Sequence, residues 1–178
     1  MTAIDEQQTT GTAQEGIPGS QLTVDDATSA THPHLPYADA VHAALAELRL
    51  WPDLTEAGTR REGTVMGKRQ RPELFARLEW LPGHDDLATL DVQAEGLIVE
   101  WSHLGGWAIR SGRDLVVLDV DDIAAPATVA EAAMHAALHG LRCACEQPPP
   151  GRWEHALYLE IALVAYDERQ GARDDDDA

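Results

Sequence analysis

The stretch EAAMHAALHGLRCAC, Glu131 to Cys145, holds two histidines four residues apart and both cysteines of the chain. On a helix, Glu131, His135, His139 and Cys143 climb one side, each one turn beyond the last. His135 and His139 have the i, i+4 spacing at which two imidazoles share a metal ion such as Zn. Reach limits the idea. From Glu131 to Cys143 a helix rises about 18 Å, at about 1.5 Å per residue. One zinc holds its ligands at about 2.0–2.3 Å. Only two adjacent members of the ladder can serve one ion, unless Gly140 ends the helix and lets Cys143 curl back. The chain has neither C-x-x-C nor H-E-x-x-H. The plainer reading is a solvated helix face, with the cysteines packed as small apolar residues.

Three other constellations carry chemistry-bearing side chains. LDVDD sets Asp119, Asp121 and Asp122 at the end of a strand. Carboxylates there would suit Mg²⁺, or they are a turn whose acids sit near the positive end of the next helix. WSHLGGW puts His103 and Trp107 around a hairpin. Exposed, they would form a stacking surface or a contact hot spot; turned inward, they are core. We expect Trp101 inside and look to the Trp107 turn for a contact. The segment 59–73 carries Arg60, Arg61, Lys68, Arg69 and Arg71, five of the 13 basic residues in the chain. Such a loop is a candidate phosphate or nucleic-acid contact, although no aromatic residue interleaves it for base stacking. Ser102 and Ser111 lack a G-x-S-x-G elbow, so no catalytic residue is singled out.

These groups need elements to position them. YADAVHAALAELRL spaces Tyr37, Val41, Leu45 and Leu48 as one helical stripe, ended by Trp51-Pro52. The segment 59–73 reads as a mobile loop. Strands follow at 73–81, 87–92, 97–103, 107–110 and 115–120, joined by short turns that allow only antiparallel neighbours. A second helix is expected over 127–141, with Ala130, Met134, Ala137, Leu138 and Leu141 inward. QPPPG breaks the chain. A third is expected over 153–169, with Trp153, Leu157, Ile161 and Val164 on a wide apolar arc. That arc must be buried or must form a subunit contact. The fold class is α+β: a four- to five-stranded antiparallel meander packed against two or three helices. Trp80, Val99, Trp101, Val117 and Ile161 are the expected core, each contributing roughly 1.5–3 kcal/mol on burial.

The 178 residues suit one domain, 36–170, between a disordered polar tail at 1–35 and an acidic tail at 171–178. A formal net charge of -18 favours basic partners and repels phosphate backbones. MTAIDEQQTT has no leader pattern and no apolar run spans a bilayer, so a soluble cytoplasmic setting is expected. The Ala/Arg/Asp/Gly bias with scarce Lys points to a GC-rich bacterial genome.

LPYADAVHAALAELRL, LPGHDDLATL, GGWAIRSGRDLVVLDV and the Pro-led PATVAEAAMHAAL together resemble an uncharacterised actinobacterial family of domains of unknown function. The resemblance covers a little over half the chain and implies the fold without an activity. The basic loop, the histidine segment and the last helix fall outside it. The sequence therefore favours a small non-enzymatic interaction module, with a homodimer through the last helix as one form. The alternatives are a nucleic-acid-linked regulator, by phosphate contact or DNA mimicry, and a Zn protein using His135, His139 and Cys143.

Overall fold

The structure, a computed structural model, describes residues 28, 30–60, 72–143 and 151–176, with the backbone of Thr64–Val65 and Lys68–Arg69; side chains are described to 172. The sequence expectations for 1–27, and those for Arg61 and Arg71, lie outside the described residues. Among the described residues no helix is long and apolar enough to cross a membrane.

Helix α1, Leu35–Glu47, starts with Pro36 in its first turn, where the missing N–H costs nothing. Tyr37, Ala38, Val41 and Leu45 are its buried stripe. Leu48 caps it and is partly exposed. Arg49 then takes a φ of 58°, which turns the chain so that Leu50 tucks back under the helix. The expected tail boundary at 35 falls too late: a helical turn precedes α1, and His34 is fully buried.

Strands β1 (Leu54–Arg60), β4 (Glu73–Trp80), β5 (Leu97–Ser102), β6 (Gly106–Ser111) and β7 (Asp114–Val117) form one antiparallel sheet in the order β1-β4-β5-β6-β7. The α+β class and its antiparallel sheet are as the sequence predicts. The pair β2 (Thr64–Val65) and β3 (Lys68–Arg69) is a small separate hairpin between β1 and β4, where an irregular loop is expected. Alternation sets the faces. Leu74, Ala76, Leu78 and Trp80 of β4 point to the core with Leu97, Val99 and Trp101 of β5 and Trp107 and Ile109 of β6. Phe75, Arg77, Glu79, Ile98 and Glu100 share the opposite, half-exposed face.

Two strand assignments change. β1 is an edge strand whose residues are mostly exposed, so it carries no burial period to read. The expected strand 87–92 is instead a turn followed by helix α2, Leu90–Glu95. Thr89 sits in extended backbone at its N-cap, Asp91 is in its first turn, and Gly96 closes it with a φ of 79°. A Cβ on Gly96 would lie 2.6 Å from the Trp80 carbonyl oxygen, so this stop needs glycine.

Helix α3, Pro126–His139, packs against α1 and β6. Its buried face is Val129, Ala130, Ala132, Ala133, Ala136 and Ala137. Met134 lies at the margin of the core and Leu138 faces solvent, which corrects the expected inward set. Helix α4 spans Ala156–Asp176 and runs through Gly171. A lone helical glycine costs only about 1 kcal/mol against alanine, so the helix passes the expected stop at 171 and takes in Asp174–Asp176 of the acidic end. Residues 151–153 anchor its start. Ala124 and Arg152 form an antiparallel bridge, and the Trp153 ring packs 5.0 Å from Tyr37. Val117 and Ile161, expected in the core, are exposed.

Candidate functional site

Where residues 30–34, the starts of β4 and α1, and the far end of β5 meet α4, the fold gathers most of its buried polar chemistry. His34 stacks on Trp101 at 5.8 Å between ring centroids. Its Nε2 lies 3.0 Å from the Phe75 carbonyl oxygen, so that nitrogen carries the proton and donates it. Nδ1 is left as a buried acceptor without a partner among the described residues. Burial pushes the imidazole down to a pKa of about 4, against the Phe75 hydrogen bond, which pulls it up. His34 is therefore neutral at pH 7.

His103 is buried too. Its Nδ1 accepts the Leu74 N–H at 3.0 Å, and its Nε2 faces Asp167 Oδ1 of α4 at 3.2 Å. Its ring meets Tyr166 edge-on at 5.8 Å. Three residues on, Arg169 donates to the Ala30 carbonyl oxygen at 2.7 Å. The cluster thus clips α4 to the sheet at one point and to the segment before α1 at another. Both nitrogens of His103 are engaged, and the free lone pair of His34 is buried.

Trp107, expected near a surface contact, is buried. Its Nε1 donates to Tyr37 Oη at 2.9 Å, and Tyr37 Oη donates to the Ala124 carbonyl oxygen at 2.7 Å. Burial drives the Tyr37 phenol well above its ordinary pKa. Trp101 likewise donates to the Asp122 carbonyl oxygen at 2.6 Å. These two indoles keep their N–H groups satisfied while their rings fill the core. His103 and Trp107 thus lie at one end of the sheet as packing residues.

Arg60 is not a loose cation of a basic loop. It ends β1 on the open sheet face, 2.8 Å from Glu73 and within 3.1–3.3 Å of both Glu100 carboxylate oxygens, with its guanidinium 5.3 Å from the Phe75 ring centre. These acids raise the Arg60 pKa, the Glu73 hydrogen bond most of all. Burial pushes Glu73 up, but hydrogen bonds from Arg60 and Ser102 outweigh it and hold the carboxyl below its usual range. Lys68 and Arg69 lie on β3, whose side chains are not described.

His135 and His139 stand side by side on the outer part of α3, with ring centroids 4.9 Å apart. Gly140 does end the helix, with a φ of 77°. Among the described residues no group of three histidine, cysteine or carboxylate side chains gathers around a common point. Cys143 is half-buried beyond the helix end. In LDVDD, Asp121 accepts the Ile123 N–H at 2.9 Å and Asp122 crowds Gly106, the arrangement of a turn.

The region the sequence treats least specifically is the outward side of α4. Ala156, Leu159 and Tyr166 face the core. Leu157, Tyr158, Ile161 and Val164 point away from it, 61%, 74%, 61% and 59% exposed. Scattered surface leucines are ordinary; four large apolar side chains on one helical stripe are not. Positions three and four apart share a helix face, so these side chains form a continuous ridge. The expectation that this helix is either buried or in a subunit contact resolves, within one chain, into exposure.

No family model matches the chain, and no curated protein or solved structure matches it either.

Proposed function

We propose that this protein is a non-enzymatic interaction module that works by docking the outward ridge of α4 on a protein surface. The exposure of Leu157, Tyr158, Ile161 and Val164 carries this reading. Leaving such a ridge in water forgoes roughly 1.5–3 kcal/mol for each large side chain that a partner would bury. The polar clusters support the same view from the other side. His34, His103, Tyr37, Arg60 and Glu73 make structural bonds inside the fold. The ridge is also held in a fixed orientation, by the His103–Asp167 pair and the Arg169 bond. A fixed ridge loses less freedom on docking than a mobile one.

The test is site-specific photocrosslinking in cells of the source organism, with a benzophenone amino acid at Tyr158. A discrete protein adduct is expected from this position. The same probe at Glu131, exposed on α3, should give none. Equal labelling from both positions, or no adduct from Tyr158, would overturn the proposal.

A further inference from the structure

Resting on that docking reading, we infer that the ridge docks on the same ridge of a second copy of this chain, antiparallel, about a two-fold axis at Ile161. The ridge is symmetric about this residue. Leu157 and Ala165 lie four positions before and after it; Tyr158 and Val164 lie three before and after. Antiparallel pairing sets Ile161 against Ile161, Leu157 against Ala165 and Tyr158 against Val164. Apolar meets apolar at these three steps, and on either side of the Ile161 pair a larger side chain meets a smaller one, which favours interdigitation of the two helices. Glu160, next to the axis, is held by Arg152. A contact that uses one patch twice closes as a dimer, the commonest soluble assembly.

Area and charge set its strength. Four side chains at these exposures offer on the order of 500 Å² per copy, towards the upper end for the largest apolar patch of a typical monomer. Two copies together bury roughly 1,000 Å², the lower bound of a specific interface. An interface of that size is characteristic of a reversible contact. Each copy carries a formal charge of -18. Glu168 lies seven positions after the axis, and its counterpart position, Glu154, lies in the turn just before α4, so one acid–acid encounter falls at each margin of the antiparallel contact. Salt screens that repulsion, and the dimer tightens as salt is added. A basic partner on the same ridge would be weakened by salt.

Sedimentation velocity on the full chain at low and high salt tests this. The average mass should climb from 19.3 kDa towards twice that value as concentration rises, sooner at high salt. Ile161→Asp should weaken association about 100-fold or more, by burying an unpaired charge on the axis. Val164→Asp serves as a second variant, and thermal unfolding at low concentration verifies that both fold. Glu168→Lys should tighten the dimer about three- to tenfold, by exchanging two acid–acid encounters for two ion pairs. In a parallel pair Glu168 already meets Glu168, and the same change would exchange acid–acid for base–base repulsion without the gain of an ion pair. A chain monomeric at every concentration and salt, a dimer indifferent to Ile161→Asp, or no tightening by Glu168→Lys would each overturn the inference. A monomer whose Tyr158 probe still captures a different protein would sink the second copy and leave the docking reading intact. A monomer with no adduct would sink both.

Discussion

Helices α3 and α4 use their apolar residues in opposite ways. α3 buries a face made almost wholly of alanine and turns Leu138 outward. α4 divides larger residues between two faces, Leu159 and Tyr166 inward and Leu157, Ile161 and Val164 outward. The difference follows from how closely each helix approaches its neighbours. α3 lies against α1 over much of its length, and small side chains let helix axes come near without overpacking. α4 lies at the periphery, where a few side chains and polar clips suffice to hold it. Hydrophobicity alone does not say which apolar residue is inside; the space available does.

The sharpest way to break this comparison is to cut the two faces of α4 in the same way. Leu159→Ala should destabilise the monomer by about 2–5 kcal/mol, through lost burial and a residual cavity. Ile161→Ala should change it by no more than about 0.5 kcal/mol, because its site is already largely in water. Urea unfolding at concentrations where the chain is monomeric reads both. Equal losses would mean that the ridge is not outward.

The same contrast explains what could be read from the sequence. β4 and β5 were legible because alternate residues, Leu74, Ala76, Leu78 and Trp80, then Leu97, Val99 and Trp101, record a sheet with one wet face. α1 was legible for the same reason at the helical period. β1 was not, since LTEAGTR is an edge strand with little burial to print a pattern. α2 differs from the strand expected there: Thr89, Asp91 and Gly96 are start and stop signals for a short helix, but the apolar Leu87, Leu90 and Val92 also fit a short strand. The candidate site divides likewise. His135 and His139 stand out in sequence because they are close along the chain. His34, His103 and Asp167 come from distant segments and meet only when the sheet and α4 are assembled, so no spacing announces them. His103 stands out through its hairpin, but Asp167, 64 residues away, has no signal that links it to the ring.

The two kinds of histidine give the next test. His34 is held neutral by burial, with a pKa depressed from 6.5 to about 4. Between those pH values the unfolded chain binds a proton on this ring and the folded chain does not. Stability due to His34 is therefore fully present above pH 6.5 and lost as pH falls towards 4, about 3 kcal/mol in all. Glu73, depressed by Arg60 and Ser102, adds acid sensitivity of the same sign at lower pH. In His34→Phe, the dependence of unfolding free energy on pH across this window should flatten by up to about 1.4 kcal/mol per pH unit, one proton's worth. The variant loses a hydrogen bond to Phe75, so the slope, and not the absolute stability, is the measurement. An unchanged slope would mean that the ring titrates alike in both states.

The smallest expected effects return to α3. Ala133 is fully buried among small neighbours, and Ala133→Leu should cost about 1–3 kcal/mol by forcing α3 away from the core. Leu138 is half in water on the same helix. Leu138→Ala removes the volume that Ala133→Leu adds, yet it should cost less than about 1 kcal/mol, because alanine is the better helix former and little burial is lost. Thermal and urea unfolding of the pair separate two views of this helix. If adding a leucyl group inside is costly and removing one outside is nearly free, the alanine face is set by close approach. If Leu138→Ala costs as much as Ala133→Leu, then Leu138 is covered in solution, and α3, like α4, presents a surface that something else buries.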